Sequence, residues 1–128
     1  DQDVVRTIVG VDEENQSMIF AGSVPEGFNA QLMRGNFEHL IEGAASAAQS
    51  AMASANEGDK VAIMVSCVGR KLLMGQRIVE KIEAAGEILG GNTTRTGFYS
   101  YGEISPHQAS GVSDLHNQTM TVTVFSET

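Results

Sequence analysis

The sequence predicts an α+β domain, with a mostly antiparallel sheet of about five strands and two helices on one face. Two stretches carry apolar residues at helical spacing, and the stretches between them are β-branched, apolar or alternating. The predicted order is strand, strand, helix, strand, helix, strand, strand, which is typical of one helical layer on one sheet. The chain has 128 residues, 41% of them hydrophobic, which is enough for one core. Residues 1–128 are therefore predicted to form a single domain.

The first two strands are predicted at residues 4–11 and 17–21. Both are β-branched or apolar runs, and the polar stretch 12–15 between them is of the kind that closes a hairpin. We therefore expect an antiparallel pair at the start of the domain.

The middle of the chain predicts a helix, a central strand and a second helix. Asn36 can cap the first helix, which should stop before Gly58. Residues 60–67 form the predicted central strand, because both of its alternating sets are apolar. The second helix is predicted at residues 75–89. Its inward face is expected to carry Ile78, Ile82, Ala85 and Leu89, and its outward face Glu80, Lys81 and Glu83.

The last two strands are predicted at residues 95–101 and 117–125. The second of them alternates apolar residues with threonines, which indicates a sheet with one wetter face. Pro106 starts a loop between these strands that is expected to run to Asp114.

Composition disfavours several classes of partner. Sixteen acidic residues stand against eight basic ones, for a net charge of -8, and no segment concentrates Lys or Arg. Nucleic acid and anionic membranes bind proteins through basic groups, so neither is expected as a partner. The longest strongly apolar stretch, residues 61–68, is too short to cross a bilayer. The single cysteine cannot form an internal disulfide, which fits a reducing, cytoplasmic compartment.

A candidate ligand-binding block follows the central strand at Cys67, Gly69 and Arg70. Gly69 would let the backbone approach a ligand closely, and Arg70 would offer a planar fork to a carboxylate. Cys67 would sit at the strand end near a cavity, where a thiol becomes reactive only beside a base or a cation. The structural alternatives are a packed thiol and an arginine paired with a surface acid.

A second block lies at the end of the next strand. Tyr99 and Tyr101 are two residues apart and share a face, so their rings could form an amphipathic wall for a small ligand. Glu103 follows at a turn, where it could accept hydrogen bonds from an ammonium group or from backbone amides. We expect Tyr101 and Glu103 to line a cavity close to Arg70. The alternative is a half-buried sheet face with hydroxyl groups at its rim.

The third block is His116-Asn117-Gln118, at the entrance to the last strand. Three consecutive polar side chains cannot all face solvent in a packed strand, so a buried one must be hydrogen-bonded. His116 or Asn117 is therefore expected either to contact a ligand or to tie the loop at residues 105–114 to the sheet.

No catalytic or metal-binding pattern is recognisable. Cys67, His116 and Glu103 match no local signature of a thiol-imidazole-carboxylate set. The histidines, which are His39, His107 and His116, have no metal-ligand spacing. The sequence predicts no catalytic residue and no metal.

These blocks together closely resemble the FIST C-terminal domain, over nearly the whole chain. The resemblance is carried by residues 65–70, 97–106 and 115–121, and by residues 35–37 before an alanine-rich helix. It implies a bacterial sensory module that follows a FIST N-terminal domain and binds small ligands such as amino acids. The chain starts without Met and almost at once on a strand, so we expect it to be excised from a longer protein. Ser113 departs from a cysteine associated with that position, which argues against an essential thiol pair.

The expected function is a non-enzymatic small-molecule sensory domain in signal transduction, with an amino acid or similar small ligand. Arg70 would oppose the ligand's carboxylate and Glu103 its amine. The resemblance leaves open a haem-binding nitric oxide sensor with His39, His107 or His116 as axial ligand. A thiol-dependent enzyme using Cys67 and a structural partner of the N-terminal domain are further alternatives. The predicted ligand-binding residues are Cys67, Gly69, Arg70, Tyr99, Tyr101, Glu103, His116 and Asn117.

Overall fold

The computed structural model of the chain describes residues 4–106 and 111–127, and its fold is α+β, as predicted. The helices are α1 (Phe37–Met52), α2 (Val68–Met74) and α3 (Ile78–Leu89), with a 3-10 turn (Gly75–Arg77) between the last two. The strands are β1 (Ile8–Asp12), β2 (Ser17–Phe20), β3 (Lys60–Cys67), β4 (Thr93–Ser100), β5 (Glu103–Pro106), β6 (Ser113–His116) and β7 (Met120–Ser126).

The strands of the described residues form three small sheets, and not one mostly antiparallel sheet of about five strands. The hairpins β1-β2 and β5-β6 stand apart from a central sheet with the order β4-β3-β7. In that sheet β3 pairs with β4 in parallel and with β7 antiparallel. The prediction was wrong here because α2 and α3 carry the chain back to the starting edge of the sheet before β4 begins. A helical crossover of this kind gives parallel neighbours.

The predicted N-terminal hairpin is confirmed, and a second hairpin, which was not predicted, flanks the predicted loop at Pro106. The turn of the first is closed by Asp12, whose Oδ1 accepts a hydrogen bond from the Asn15 backbone N–H at 3.1 Å. The second pairs β5 with β6, two strands that stand at the two ends of the predicted loop from Pro106 to Asp114. Four-residue strands such as these are too short for a clear alternating pattern.

Helix α1 begins as predicted, and its first turn is tied to the start of α3. Oδ1 of Asn36 accepts hydrogen bonds from the backbone N–H groups of Glu38, at 2.9 Å, and His39, at 3.4 Å. Arg77 then pairs with Glu38 at 2.8 Å and with Glu80 at 2.6 Å. The pairs fix the entry of α3 against α1.

The core lies between the central sheet and the two long helices, which cover one face of it. Its alanines let the backbones approach closely, and methionine and valine side chains pack around them. The fully buried members are Ala44 and Ala48 of α1, Ala62 of β3, Ala85 and Leu89 of α3, and Met120 of β7.

The predicted faces of α3 are partly wrong. Ala85 and Leu89 are buried as expected, but Lys81, predicted to face outward, is 0% exposed, whereas Ile82 is 37% exposed. Lys81 precedes Ala85 by four residues and Leu89 by eight, so all three share one stripe of the helix. The sequence-based prediction placed Lys81 on the solvent face because its side chain is charged.

The described part of the chain contains no helix that is both long and apolar enough to span a membrane.

Candidate functional site

The carboxyl ends of the two parallel strands bring the predicted blocks together. Cys67, the last residue of β3, pairs with Ser100, the last residue of β4. The chain then enters α2 after β3, and reaches β5 two residues after β4. Arg70 on α2 and Glu103 on β5 therefore lie at the same end of the sheet, where open sheets bind their ligands.

Three charged side chains and one thiol, all buried, meet at this end of the sheet. We call them the charge cluster: Cys67, Arg70, Lys81 and Glu103. The side chains of Arg70 and Glu103 are each 4% exposed and Lys81 is fully buried. Arg70 and Lys81 both interact electrostatically with Glu103 and with Cys67, and Arg70 also acts on Lys81. Such concentrations of buried ionisable groups are typical of functional sites.

Glu103 is fully engaged inside the protein. Its Oε1 accepts a hydrogen bond from the Ser100 hydroxyl at 2.6 Å, and its Oε2 accepts one from the Thr119 hydroxyl. The carboxylate thus joins the end of β4 to the residue just before β7. Two hydroxyl donors and two nearby cations explain how a carboxylate can be buried here.

Arg70 is only partly satisfied. It donates a hydrogen bond from Nη2 to the carbonyl of Leu40 in α1, while its Nε finds no partner among residues 4–106 and 111–127. Burial lowers the pKa of its guanidinium, and the charges of Glu103 and Cys67 oppose that change. The side-chain oxygen of Gln118 is also buried without a partner in the described chain.

Lys81 has one polar partner and one aromatic neighbour. Its Nζ donates to the hydroxyl of Ser66 on β3 and lies 5.4 Å from the centroid of the Tyr99 ring. Burial, and then the charge of Arg70, lower the pKa of this amine to about 8, while Cys67 and Glu103 act in the opposite direction. Lys71 lies over the same ring, at 4.7 Å.

The charge cluster therefore holds two cationic groups against one carboxylate. In the part of the chain that the structure describes, the ion pairs within 4.0 Å are those of Arg77, so neither Arg70 nor Lys81 has a carboxylate in direct contact. A buried charge without a close partner is costly, and an anionic group placed beside it lowers that cost. This end of the sheet is suited to a small anion.

A cavity of about 330 Å³ lies beside the cluster, between β4 and α3. Its lining is mainly apolar, and the polar residues in it include Ser66, Lys81, Arg95 and Thr96. An apolar cavity with a few polar groups is the usual form of a small-molecule site. The other side chains at its wall include Met64, Ile82, Tyr99 and Met120.

A second cavity, of about 540 Å³, lies at the opposite end of the strands. It is lined by Lys60, Thr93 and Ser126, among others, and none of the charge cluster reaches it. Its walls lack the buried charges that distinguish the first cavity.

The aromatic block is divided between the cavity and solvent. Tyr99 lines the 330 Å³ cavity, but Tyr101 lies just past the end of β4 and is 89% exposed. Arg70 and Glu103 share the cluster, as the sequence suggested, yet neither of them lines this cavity. Ligand binding by these four residues stays a prediction.

The third block ties neighbouring segments to the sheet. His116 is buried, and its Nε2 lies 3.0 Å from the carbonyl oxygen of Ser105. Asn117 is buried as well, and its Oδ1 accepts a hydrogen bond from the backbone N–H of Thr7 at 3.1 Å. His116 thus contacts Ser105 of β5, the first residue of the segment 105–114 that it was expected to tie, whereas Asn117 holds the N-terminal segment. Both contacts are structural, and a ligand contact stays a prediction.

Gly69 allows a close approach by another part of the chain. A Cβ atom at this position would collide with the side-chain amide of Gln118. Gln118 itself has a φ of 59°, in the left-handed region, and breaks the strand pattern before β7. The glycine therefore has a packing reason, and its predicted approach to a ligand is untested.

The polar residues Ser66, Lys81, Arg95 and Thr96 line the cavity but were not among the predicted site residues. Ser66 lies inside an apolar strand, where a small hydroxyl gives no pattern of its own. Lys81 was discernible from its spacing of four residues to Ala85 and of eight to Leu89.

The remaining alternatives have no observation in their favour. Within residues 4–106 and 111–127 no three His, Cys, Asp or Glu side chains come together to hold a metal. His39 is exposed on α1, His116 is engaged with Ser105, and His107 lies outside the described residues. Cys67 is a buried free cysteine. Haem binding and thiol catalysis stay predictions.

Comparison with known proteins then identifies the family. The model of the FIST C domain matches residues 1–106 of the 128, which confirms the resemblance seen in the sequence. The chain belongs to the FIST C domain family, a family of sensory domains in signal transduction. No match was found among curated proteins or among solved structures.

Proposed function

We propose that this chain is a non-enzymatic ligand-sensing domain whose ligand is an amino acid or a similar small carboxylate. One observation carries the proposal: Arg70 and Lys81 are both buried against the single carboxylate of Glu103. The ligand's carboxylate would supply the missing negative charge at the charge cluster. Its side chain would occupy the apolar cavity of about 330 Å³ between β4 and α3.

The energetic reason is the cost of a buried charge. Removing an ion from water costs several kcal/mol, of the order of ~3 kcal/mol or more when no partner is near. Arg70 retains an unused Nε donor, and Lys81 has three N–H donors of which the Ser66 hydroxyl takes one. A carboxylate placed against Lys81 in the cavity would accept a hydrogen bond from its Nζ and would gain Coulomb energy from the nearby charge of Arg70.

Ligand occupancy would be transmitted through contacts that the cluster already makes. Arg70 is bonded to α1 through Leu40, and Glu103 is bonded to the start of β7 through Thr119. A ligand that competes for Arg70 would change its hold on α1, and it would shift the domain toward the state that it binds better. FIST C domains pair with FIST N domains in signalling proteins, so the adjoining domain of a bacterial, cytoplasmic sensor is the proposed recipient.

The test is calorimetric titration of the 128-residue chain at pH 7 with leucine and with two matched compounds. 3-Methylbutylamine lacks the carboxylate, and leucinol replaces it by an alcohol. We expect leucine to bind and both analogues to bind at least ten times more weakly. A tenfold loss corresponds to about 1.4 kcal/mol, which is within the range for one lost charged hydrogen bond.

Variants locate the site. Arg70→Met and Lys81→Met should each weaken leucine binding at least tenfold. Lys60→Met removes the same charge at the other end of β3 and should leave binding unchanged. Equal binding of leucine and leucinol, or equal effects of Lys60→Met and Lys81→Met, would contradict the proposal.

A further inference from the structure

Lys81 combines features that suit an amine for covalent chemistry. It is fully buried in a mainly apolar wall, it is hydrogen-bonded to the hydroxyl of Ser66, and it feels the positive charge of Arg70. Lysines become nucleophiles when an apolar pocket or a second cation favours their neutral form. The Lys81 pKa of about 8 leaves roughly a tenth of these amines neutral at pH 7, several hundred times more than for an ordinary lysine.

The surroundings also disfavour a ligand that brings a second ammonium group. The two positive charges of Arg70 and Lys81 already outnumber the one negative charge of Glu103. The two oxygens of Glu103 also accept hydrogen bonds from the Ser100 and Thr119 hydroxyl groups. An amino acid would place its ammonium beside these two cations, which repel it, so leucine is expected to bind more weakly than a ligand with the same carboxylate and no ammonium. The corresponding 2-oxo acid has the same carboxylate and side chain, but carries a neutral carbonyl in place of the ammonium.

We propose that the ligand of this site is a 2-oxo acid with an apolar side chain, which Lys81 captures reversibly as an imine. The inference rests on the proposed function, since it uses the same cavity and the same demand for a carboxylate. The apolar side chain lies in the 330 Å³ cavity, and the carboxylate offsets the positive charge of Arg70 and Lys81.

The chemistry is balanced without an oxidant, a reductant or a co-reactant. The lone pair of the neutral Lys81 Nζ attacks the carbonyl carbon, a C–N bond forms, and the carbonyl π electrons move to oxygen. The Ser66 hydroxyl, which is bonded to Nζ, relays the proton that nitrogen loses to this oxygen. As the C=N bond forms, nitrogen loses its second proton, which Ser66 relays to the hydroxyl group, and the oxygen leaves as water. Hydrolysis reverses each step, so the event is ligand capture and release.

The titration of Lys81 reflects its burial and three neighbouring groups on different elements. Arg70 of α2 favours the neutral amine, whereas Cys67 of β3 and Glu103 of β5 favour its charged form. Tyr99 of β4 presents the face of its ring to the amine, with Lys71 over the same ring.

The chain contains its own controls, because it has three lysines, Lys60, Lys71 and Lys81. The 128-residue protein is incubated at pH 7 with 4-methyl-2-oxopentanoate and cyanoborohydride, which reduces an imine to a stable secondary amine. Peptide mass spectrometry then gives the rate of modification at each lysine. We expect Lys81 to be modified at least ten times faster than Lys60 and Lys71, although it is the buried one. An excess of 2-hydroxy-4-methylpentanoate, which cannot form an imine, should slow the reaction at Lys81 alone.

Two variants separate capture from simple carboxylate binding. Lys81→Arg keeps a cation and should bind the 2-hydroxy acid, yet it should show no adduct at position 81. Ser66→Ala should slow capture at Lys81 by at least fivefold without changing the rates at Lys60 and Lys71. If Lys81 is modified no faster than the exposed lysines, the imine proposal is wrong.

The outcome for the proposed function is read separately, by calorimetry. Binding of leucine or of the 2-hydroxy acid without selective modification of Lys81 would overturn the imine proposal and leave the sensory proposal standing. No binding of any carboxylate, with no selective modification, would overturn both. Selective modification with weak leucine binding would support the 2-oxo acid as the ligand class.

Discussion

Lys81→Met should stabilise the domain at neutral pH, which is unusual for a buried position. The native pKa of Lys81 is about 8 and its ordinary value is 10.5, so the folded state holds this proton less tightly than the unfolded state does. The difference corresponds to a cost of about 3 kcal/mol for keeping the amine charged in the folded protein at pH 7. Methionine has a similar shape and needs no hydration, although it removes the hydrogen bond to Ser66. We expect a net gain of about 1–3 kcal/mol at pH 7.

The pH dependence gives the sharper test. Below pH 8 the cost is fully present, because Lys81 is charged in both states. Between pH 8 and 10.5 the folded protein loses this proton before the unfolded chain does, so the stability of the native protein rises relative to the variant. The advantage of Lys81→Met should therefore shrink from pH 8 upward and level off near pH 10.5.

The measurement is urea denaturation of both proteins at half-unit steps from pH 6.5 to 10.5. Comparing them at each pH cancels the titration of the other groups. Lys60→Met is the matched control, since Lys60 lies at the start of β3, where its Nζ donates to the backbone carbonyl of Gly58 in an exposed contact. The gain in stability at pH 7 that we expect for Lys81→Met should be absent from Lys60→Met. A Lys81→Met variant that is less stable at pH 7, by an amount independent of pH, would refute the reasoning.

Three further predictions concern the same end of the sheet. Glu103→Gln leaves Arg70 and Lys81 without their carboxylate and should lower the free energy of unfolding, measured by urea denaturation, by about 3–5 kcal/mol. Ser100→Ala removes one hydroxyl donor and should lower it by about 1–3 kcal/mol. A smaller loss for Glu103→Gln than for Ser100→Ala would show that the carboxylate does not hold the cluster. Arg70→Met should raise the pKa of Lys81 above about 8, because the charge of Arg70 is, after burial, the second largest cause that lowers it. NMR titration of the lysine side chain measures this pKa, and an unchanged value would show that the two groups are not coupled. Asn117→Leu removes the acceptor for a backbone N–H and should lower stability by about 1–3 kcal/mol at every pH, with hydrogen exchange at Thr7 as the local readout.

The parts of the fold that follow from local chemistry were predictable. Asn36 was recognised as a helix cap from its residue type, and β3 was found with its observed bounds because a short apolar run of this length is typical of a buried strand. The arrangement of the sheet was not predictable in the same way. The parallel pairing of β3 with β4 depends on α2, and that helix is only seven residues long and contains Gly69. Short helices are stabilised by tertiary contacts rather than by their own propensity.

The site was half predictable for a related reason. Arg70 and Glu103 were found because polar residues at strand ends stand out against apolar strands. Lys81 was missed because a lysine on a helix is normally solvated, and burying one needs the Ser66 hydroxyl and the Tyr99 ring, which come from other elements. Tertiary partners of this kind leave little trace in the local sequence.

The buried polar groups at this end of the sheet fall into two kinds, and the distinction bears on function. His116 and Asn117 have buried partners that join segments of the chain, so their contacts are explained by the fold. The fold explains Arg70 and Lys81 less well. The Nε of Arg70 has no hydrogen-bond partner among the described residues, and the two positive charges face the single negative charge of Glu103. Selection for stability alone would replace such groups with apolar ones. The two substitutions should therefore change the free energy of unfolding in opposite directions. Asn117→Leu should lower it, because a structural hydrogen bond is lost. Lys81→Met should raise it, although this variant also loses the amine that we assign to ligand binding.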